Sequence, residues 1–147
     1  MASITATQAP PPAVGDDGAM TDRGHVADWV AAYERAWRSP GTDALSDLFT
    51  ESASYSPSPW AEPHVGFDAI GRFWEAARTG PDEGFELQSE VVAVEGSTAV
   101  VRVAVAYDDG HRWRDLWVLR MADDGRCEHF EEWPFAPGQP DGHEADQ

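Results

Sequence analysis

Val26, Trp29, Val30, Tyr33 and Trp37 recur at spacings of three and four, which lays one apolar face along a helix over residues 24–38. Ser39-Pro40-Gly41 ends it, because proline cannot continue the hydrogen-bond ladder. Thr42 then caps a short second helix that turns Leu45, Leu48 and Phe49 inward. A short strand is expected over residues 53–55. It runs into Ser56-Pro57-Ser58-Pro59-Trp60-Ala61-Glu62-Pro63-His64, too rich in proline for regular structure. A third helix over 67–77 presents Phe67, Ile70, Phe73, Trp74 and Ala77, and Gly80-Pro81 closes it. The pattern then reads as four strands, over residues 85–95, 98–107, 111–121 and 126–135. Glu95-Gly96-Ser97, Asp108-Asp109-Gly110 and Asp123-Asp124-Gly125 separate them, all turn formers, and the last two suit tight hairpins. Consecutive hairpins make an antiparallel meander. Helices early and a meander late predict an α+β fold, with helices packed on one face of a curved sheet.

Composition bounds the ends and the partners. Residues 1–22, with Pro10-Pro11-Pro12 and Gly15-Asp16-Asp17-Gly18, bury too little apolar area to offset ordering, so disorder is expected there. Met20 is a candidate true start. The segment 138–147 is expected to be an unstructured tail, leaving one domain over 23–137. The formal net charge is -17, which argues against nucleic acid and anionic membranes, since both need basic patches. All ten basic residues are arginine, with no lysine and no asparagine. Schiff-base catalysis by lysine is thereby excluded, and so is N-glycosylation. The single cysteine, Cys127, cannot form an internal disulfide, and no basic-then-apolar leader or long apolar run is present. A soluble cytoplasmic protein is the expectation.

Candidate chemistry concentrates on the late strands. Alternation along His111–Arg120 puts Trp113, Asp115, Trp117 and Leu119 on one face and Arg112, Arg114, Leu116, Val118 and Arg120 on the other. A carboxylate between two indoles is either a pocket acid/base group, with its pKa raised by desolvation, or a hydrogen-bonded or wet structural residue. On the last strand Cys127, His129, Glu131 and Trp133 share one face, and Glu128, Phe130, Glu132 and Pro134 the other. Either set can come alongside Asp115, because one bulge flips the choice. Glu131 is the favoured carboxyl partner, set against a solvated strand-edge glutamate, and two facing carboxyls would have their pKa values pushed apart. His129 is a candidate general base, set against a packed or surface histidine. Three donors on one strand span too far for one ion, so no metal is expected. Tyr55 is a candidate hydroxyl donor or a core residue. Trp60 and His64 are candidates for the pocket mouth, with Trp113, Trp117 and Trp133 for its wall. Trp29 and Tyr33 are core residues that also stand as candidate lining. The strand arginines read as an outer sheet face or dimer seam, bonded to nearby acids.

The order helix, short helix, strand, Gly66-Phe67-Asp68-Ala69-Ile70 opening a third helix, then a long meander resembles the nuclear transport factor 2-like superfamily, over roughly residues 24–135. The SnoaL-like branch of polyketide cyclases and small pocket proteins is the nearest match. The resemblance implies a cone whose curved sheet wraps over three helices around a deep pocket. It also implies homodimers formed through the outer sheet face. The superfamily includes ketosteroid isomerase, limonene epoxide hydrolase, scytalone dehydratase and members without a known reaction. SnoaL-like cyclases use an aspartate and a histidine on the late strands, where Asp115 and His129 to Trp133 fall. Limonene epoxide hydrolase uses an asparagine, which this chain lacks. The resemblance thus implies a hydrophobic small-molecule ligand and cofactor-independent acid/base chemistry: isomerisation, cyclisation, dehydration or epoxide opening. A non-catalytic ligand-binding or dimerisation module stands beside it, and a protein-interaction domain behind both. Fold alone does not choose between them.

Overall fold

The Asp22 carboxylate accepts the His25 amide at 2.8 Å and starts the first helix, α1, at Arg23–Arg38, as side-chain oxygens do for the unpaired amides of a helix start. The computed structural model describes residues 21–78 and 84–143. Residues 1–20, with Met20, lie outside the described residues, as do Gly80-Pro81 and the last four residues of the tail. Along α1, Val26, Trp29, Val30 and Tyr33 are buried, as their spacing predicts. The short helix α2 is Leu45–Leu48. Its first residue follows Ala44, and the Thr42 side chain does not cap it; Thr42 contributes its carbonyl to the Leu45 amide instead.

Two corrections follow next along the chain. Phe49 opens a strand, β1, at Phe49–Ser56, longer than the three residues expected. Within the proline-rich stretch His64–Val65 forms a two-residue strand, β2, paired antiparallel to Ser54 and Tyr55. Its partner is outside the local sequence, so local composition did not reveal it. The third helix, α3, is Gly66–Ala77, with Ile70, Gly71 and Trp74 buried.

The meander is β3 (Phe85–Glu95), β4 (Thr98–Tyr107), β5 (Arg112–Met121) and β6 (Cys127–Phe135). The curved six-stranded sheet has the order β2-β1-β6-β5-β4-β3, and the mixed α+β architecture is the expected cone. Within it β1 runs parallel to β6, while the other pairs are antiparallel. That pairing joins residues some 75 positions apart, so no hairpin signal announces it. The β5–β6 turn is tied to α1: the His25 ring lies 2.8 Å from the Gly125 carbonyl. Gly125 has φ +89°, a conformation that glycine adopts without a side-chain penalty.

Phe130 of β6 centres the core. Its ring stacks on Tyr55 and Tyr33, at centroid distances of 4.5 and 5.4 Å, and meets Trp117 edge-on at 5.0 Å. Such geometries add about 0.5–1.5 kcal/mol per pair beyond burial. Helices and sheet therefore meet in aromatic packing. Beside it a cavity of about 240 Å³ is lined by α1, α3 and the sheet.

Candidate functional site: a carboxyl pair in an aromatic cavity

Alternation along β5 sends Asp115, Trp117 and Leu119 inward, and Asp115 is only 5% exposed. The Trp117 indole N–H donates to Asp115 Oδ2 at 3.4 Å, a long bond. Asp115 Oδ1 receives no hydrogen bond from any N–H or hydroxyl of the described residues. What reaches Asp115 is a second carboxyl. Glu132 stands opposite Trp117 on β6, with its carboxyl beside Asp115. Burial raises Glu132 well above the usual carboxylate range, and the neighbouring Asp115 carboxyl raises it further. Glu132 therefore keeps its proton to higher pH than a free carboxyl does.

Above the pair lie two phenols. Tyr33 from α1 and Tyr55 from β1 share a hydroxyl hydrogen bond of 2.6 Å. Burial raises both well above the ordinary tyrosine value, and Glu132 adds to this in each case. Both hydroxyls therefore stay protonated; one proton lies in the bond between them, which leaves one hydroxyl to donate elsewhere. Tyr107 of β4 also lines the cavity, and the remaining walls are mainly apolar, with Trp37, Phe73, Phe85, Leu87, Val105, Trp113, Trp117 and Pro134. One acceptor, one neutral carboxyl and a tyrosine hydroxyl around such a cavity can take a proton from one atom and donate to another.

The model of the SnoaL-like domain matches residues 29–130. This chain belongs to the SnoaL-like domain family. Its fold is similar to that of a nuclear transport factor 2-like protein from Mesorhizobium loti, at 23% identity and TM-score 0.60, over 83% of this chain and 97% of that one. It is similar to a candidate polyketide cyclase from Sinorhizobium meliloti, at 28% identity and TM-score 0.57, over 71% of this chain and 93% of that one. It is similar in fold to SalBIII, an epoxide hydrolase/cyclase-like enzyme with a role in pyran ring formation in salinomycin. There the identity is 17% and the TM-score 0.63, over 78% and 93% of the two chains. A candidate ketosteroid isomerase from Kribbella flavida shares the fold at 19% identity and TM-score 0.60, over 80% of each chain. No curated protein matches the chain.

Within this SnoaL-like domain the cavity brings together Tyr33, Tyr55, Trp113, Asp115 and Trp117 of the residues singled out from sequence. Glu132 takes the place expected of Glu131. The physical reason is a bulge: Met121 pairs with Cys127, but Arg120 pairs with His129, so Glu128 has no opposite number. Beyond it His129, Glu131 and Trp133 face outward, away from Asp115. There they form a separate chain, with Ser54 Oγ 2.6 Å from His129 Nδ1 and His129 Nε2 3.3 Å from Glu131 Oε1. The Trp133 indole N–H completes it by donating to Glu131.

Trp60 is 98% exposed and, with Glu131 and Trp133, edges an outer groove rather than the cavity mouth. His64 stacks on Phe73 at 4.8 Å from the side that does not line the cavity. Trp29 is core, its indole N–H bonded to the Leu48 carbonyl at 2.9 Å. Of the strand arginines, Arg102 bonds Glu90 and Arg120 bonds Glu128, each at 2.8 Å, while Arg112 and Arg114 are exposed. Cys127 is buried, and burial pushes its thiol up to about 12, so it is no nucleophile. Among the described residues no helix is long and apolar enough to cross a membrane.

Proposed function

We propose that the cavity is a cofactor-independent acid/base active site for a hydrophobic small molecule. The observation that carries this reading is the buried Asp115 with the Glu132 carboxyl beside it, opening on a largely apolar cavity. Asp115 accepts a proton from the substrate carbon or hydroxyl. The protonated Glu132 and one hydroxyl of the Tyr33–Tyr55 pair donate to the oxygen on which charge develops. Donors already aimed at that oxygen, in a site with little water, lower the barrier without reorganisation. A carboxyl kept neutral by its apolar surroundings is able to serve as such a donor. Isomerisation, cyclisation, dehydration and epoxide opening all need this pairing of acceptor and donor. The names of the structural relatives, which include cyclases and an isomerase, support the class but not one reaction.

The test is deuterium exchange. 2-Tetralone, a hydrophobic ketone with acidic α-protons, is incubated with the protein in D2O and followed by proton NMR. Wild type accelerates the exchange and Asp115→Asn does not. Acceleration that survives Asp115→Asn, or none from wild type, contradicts the proposal.

A second reading is ligand binding without turnover, favoured by the two indoles, Trp113 and Trp117, that wall the cavity. It predicts ligand-induced tryptophan fluorescence changes that survive Asp115→Asn. In either case we infer a homodimer through the outer sheet face. Leu116, Trp133 and Phe135 are exposed there, and apolar groups clustered on one face mark an interface.

A further inference from the structure

The charges around the cavity all have one sign. Its lining holds two carboxyls, and among the described residues no arginine or histidine joins them. Arg112 and Arg114 are exposed on the opposite face of β5, and two further arginines are committed elsewhere. Arg38 bonds Glu34 and the Phe85 carbonyl, with its guanidinium 3.9 Å from the Phe85 ring centroid. Arg78 bonds Glu75 and the carbonyls of Ser39 and Gly41. The proton on Glu132 removes one charge from the carboxyl pair and leaves the other without a cationic partner, a costly arrangement in a buried site.

The rest of the wall suits a cation. Eight of the fifteen lining residues are aromatic, and an aromatic face presents negative potential to whatever lies over it. Aromatic rings around an acid are the means by which proteins hold organic ammonium groups. An anion would meet like charge here, and a neutral ligand would leave the carboxylate uncompensated. We infer that the cavity takes a hydrophobic organic cation: a protonated amine on an aryl or alkyl body that fits about 240 Å³. The inference rests on the proposed reading of the cavity as a ligand site, and does not require catalysis.

The cation has a thermodynamic signature. A positive charge beside the pair favours ionisation of both carboxyls, so binding displaces the proton held on Glu132. Affinity then rises with pH. The titratable groups that line the cavity with Glu132 are Asp115 of β5, Tyr33 of α1, Tyr55 of β1 and Tyr107 of β4. The lining residues from α3 and β3 carry no ionisable group.

The experiment titrates the full chain with three compounds of one shape: 2-phenylethylammonium, 2-phenylethanol and phenylacetate, read by tryptophan fluorescence and calorimetry. The ammonium is expected to bind about tenfold or more tighter than the alcohol, the scale of a desolvated cation–π contact, and phenylacetate not at all. Its affinity rises with pH as Glu132 loses its proton, over the range in which the amine itself stays charged. Asp115→Asn erases the preference for the ammonium. Val105→Trp, which fills the cavity from β4, abolishes binding of both and locates the site. Equal binding of alcohol and ammonium overturns the inference and leaves the cavity a ligand site. If wild type binds none of the three at millimolar concentration, the inference fails together with the reading it rests on.

Discussion

Glu132 stands opposite Trp117 in the β5–β6 ladder, and its carboxyl reaches Asp115 two residues along β5. One structural accident makes this possible, the bulge at Glu128 that carries the last strand forward by one residue. Without it Glu131 would face the cavity. The site therefore depends on a backbone irregularity as much as on residue identity.

Glu132 makes stability pH-dependent with a definite sign. Its folded pKa is raised, so the folded state binds more protons than the unfolded chain once pH exceeds the unfolded value of about 4.3. Stability from this group is complete below that value and is lost as pH rises toward the folded pKa. Glu132→Gln removes the loss. Thermal melts at about pH 5 and about pH 8 should show a smaller fall in Tm for the variant than for wild type. Parallel falls would mean that Glu132 titrates normally.

The Tyr33–Tyr55 bond of 2.6 Å is buried on both sides. Removing one hydroxyl leaves the other without its partner, so Tyr33→Phe and Tyr55→Phe should each cost about 1–2 kcal/mol. The double variant should cost less than the sum, with a coupling of about 1 kcal/mol in chemical denaturation. Strict additivity would show that the two hydroxyls do not depend on each other.

Much of this was legible in the sequence, and the reasons are particular. Spacings of three and four exposed the inner face of α1, and strict alternation on β5 put Asp115 between the two indoles. Both signals are local. The β1–β6 pairing and the Tyr33–Tyr55 contact join distant segments, and no local pattern encodes them. The choice between Glu131 and Glu132 was open because alternation gives two faces but not which face turns inward. A bulge settles it, and Cys127-Glu128-His129 carries no glycine or proline to mark one.

Gly125 couples a turn to a helix. A Cβ there would lie 2.9 Å from the His25 ring, in a conformation with φ +89°. Gly125→Ala should lower stability by about 1–2 kcal/mol, the cost of a left-handed conformation in a residue with a side chain. Combining it with His25→Ala relieves the collision but not the backbone cost, so only part of the loss returns. An unchanged Tm in Gly125→Ala would contradict the turn geometry.

The outer face is tested by charge. Leu116→Arg puts a cation among exposed apolar groups and should leave circular dichroism unchanged. Light scattering should then report the monomer mass for the variant and twice that mass for wild type. A monomeric wild type would remove the dimer from the account.

The central claim is that Glu132 keeps its proton beside Asp115 inside the cavity. Carboxyl-carbon NMR titration of Glu132, in wild type and in Asp115→Asn, tests it most directly. The account predicts a midpoint well above the usual glutamate range in wild type. It also predicts a lower midpoint in Asp115→Asn, because the neighbouring charge is gone while burial remains. A Glu132 that titrates near about 4.3 in both proteins would contradict it.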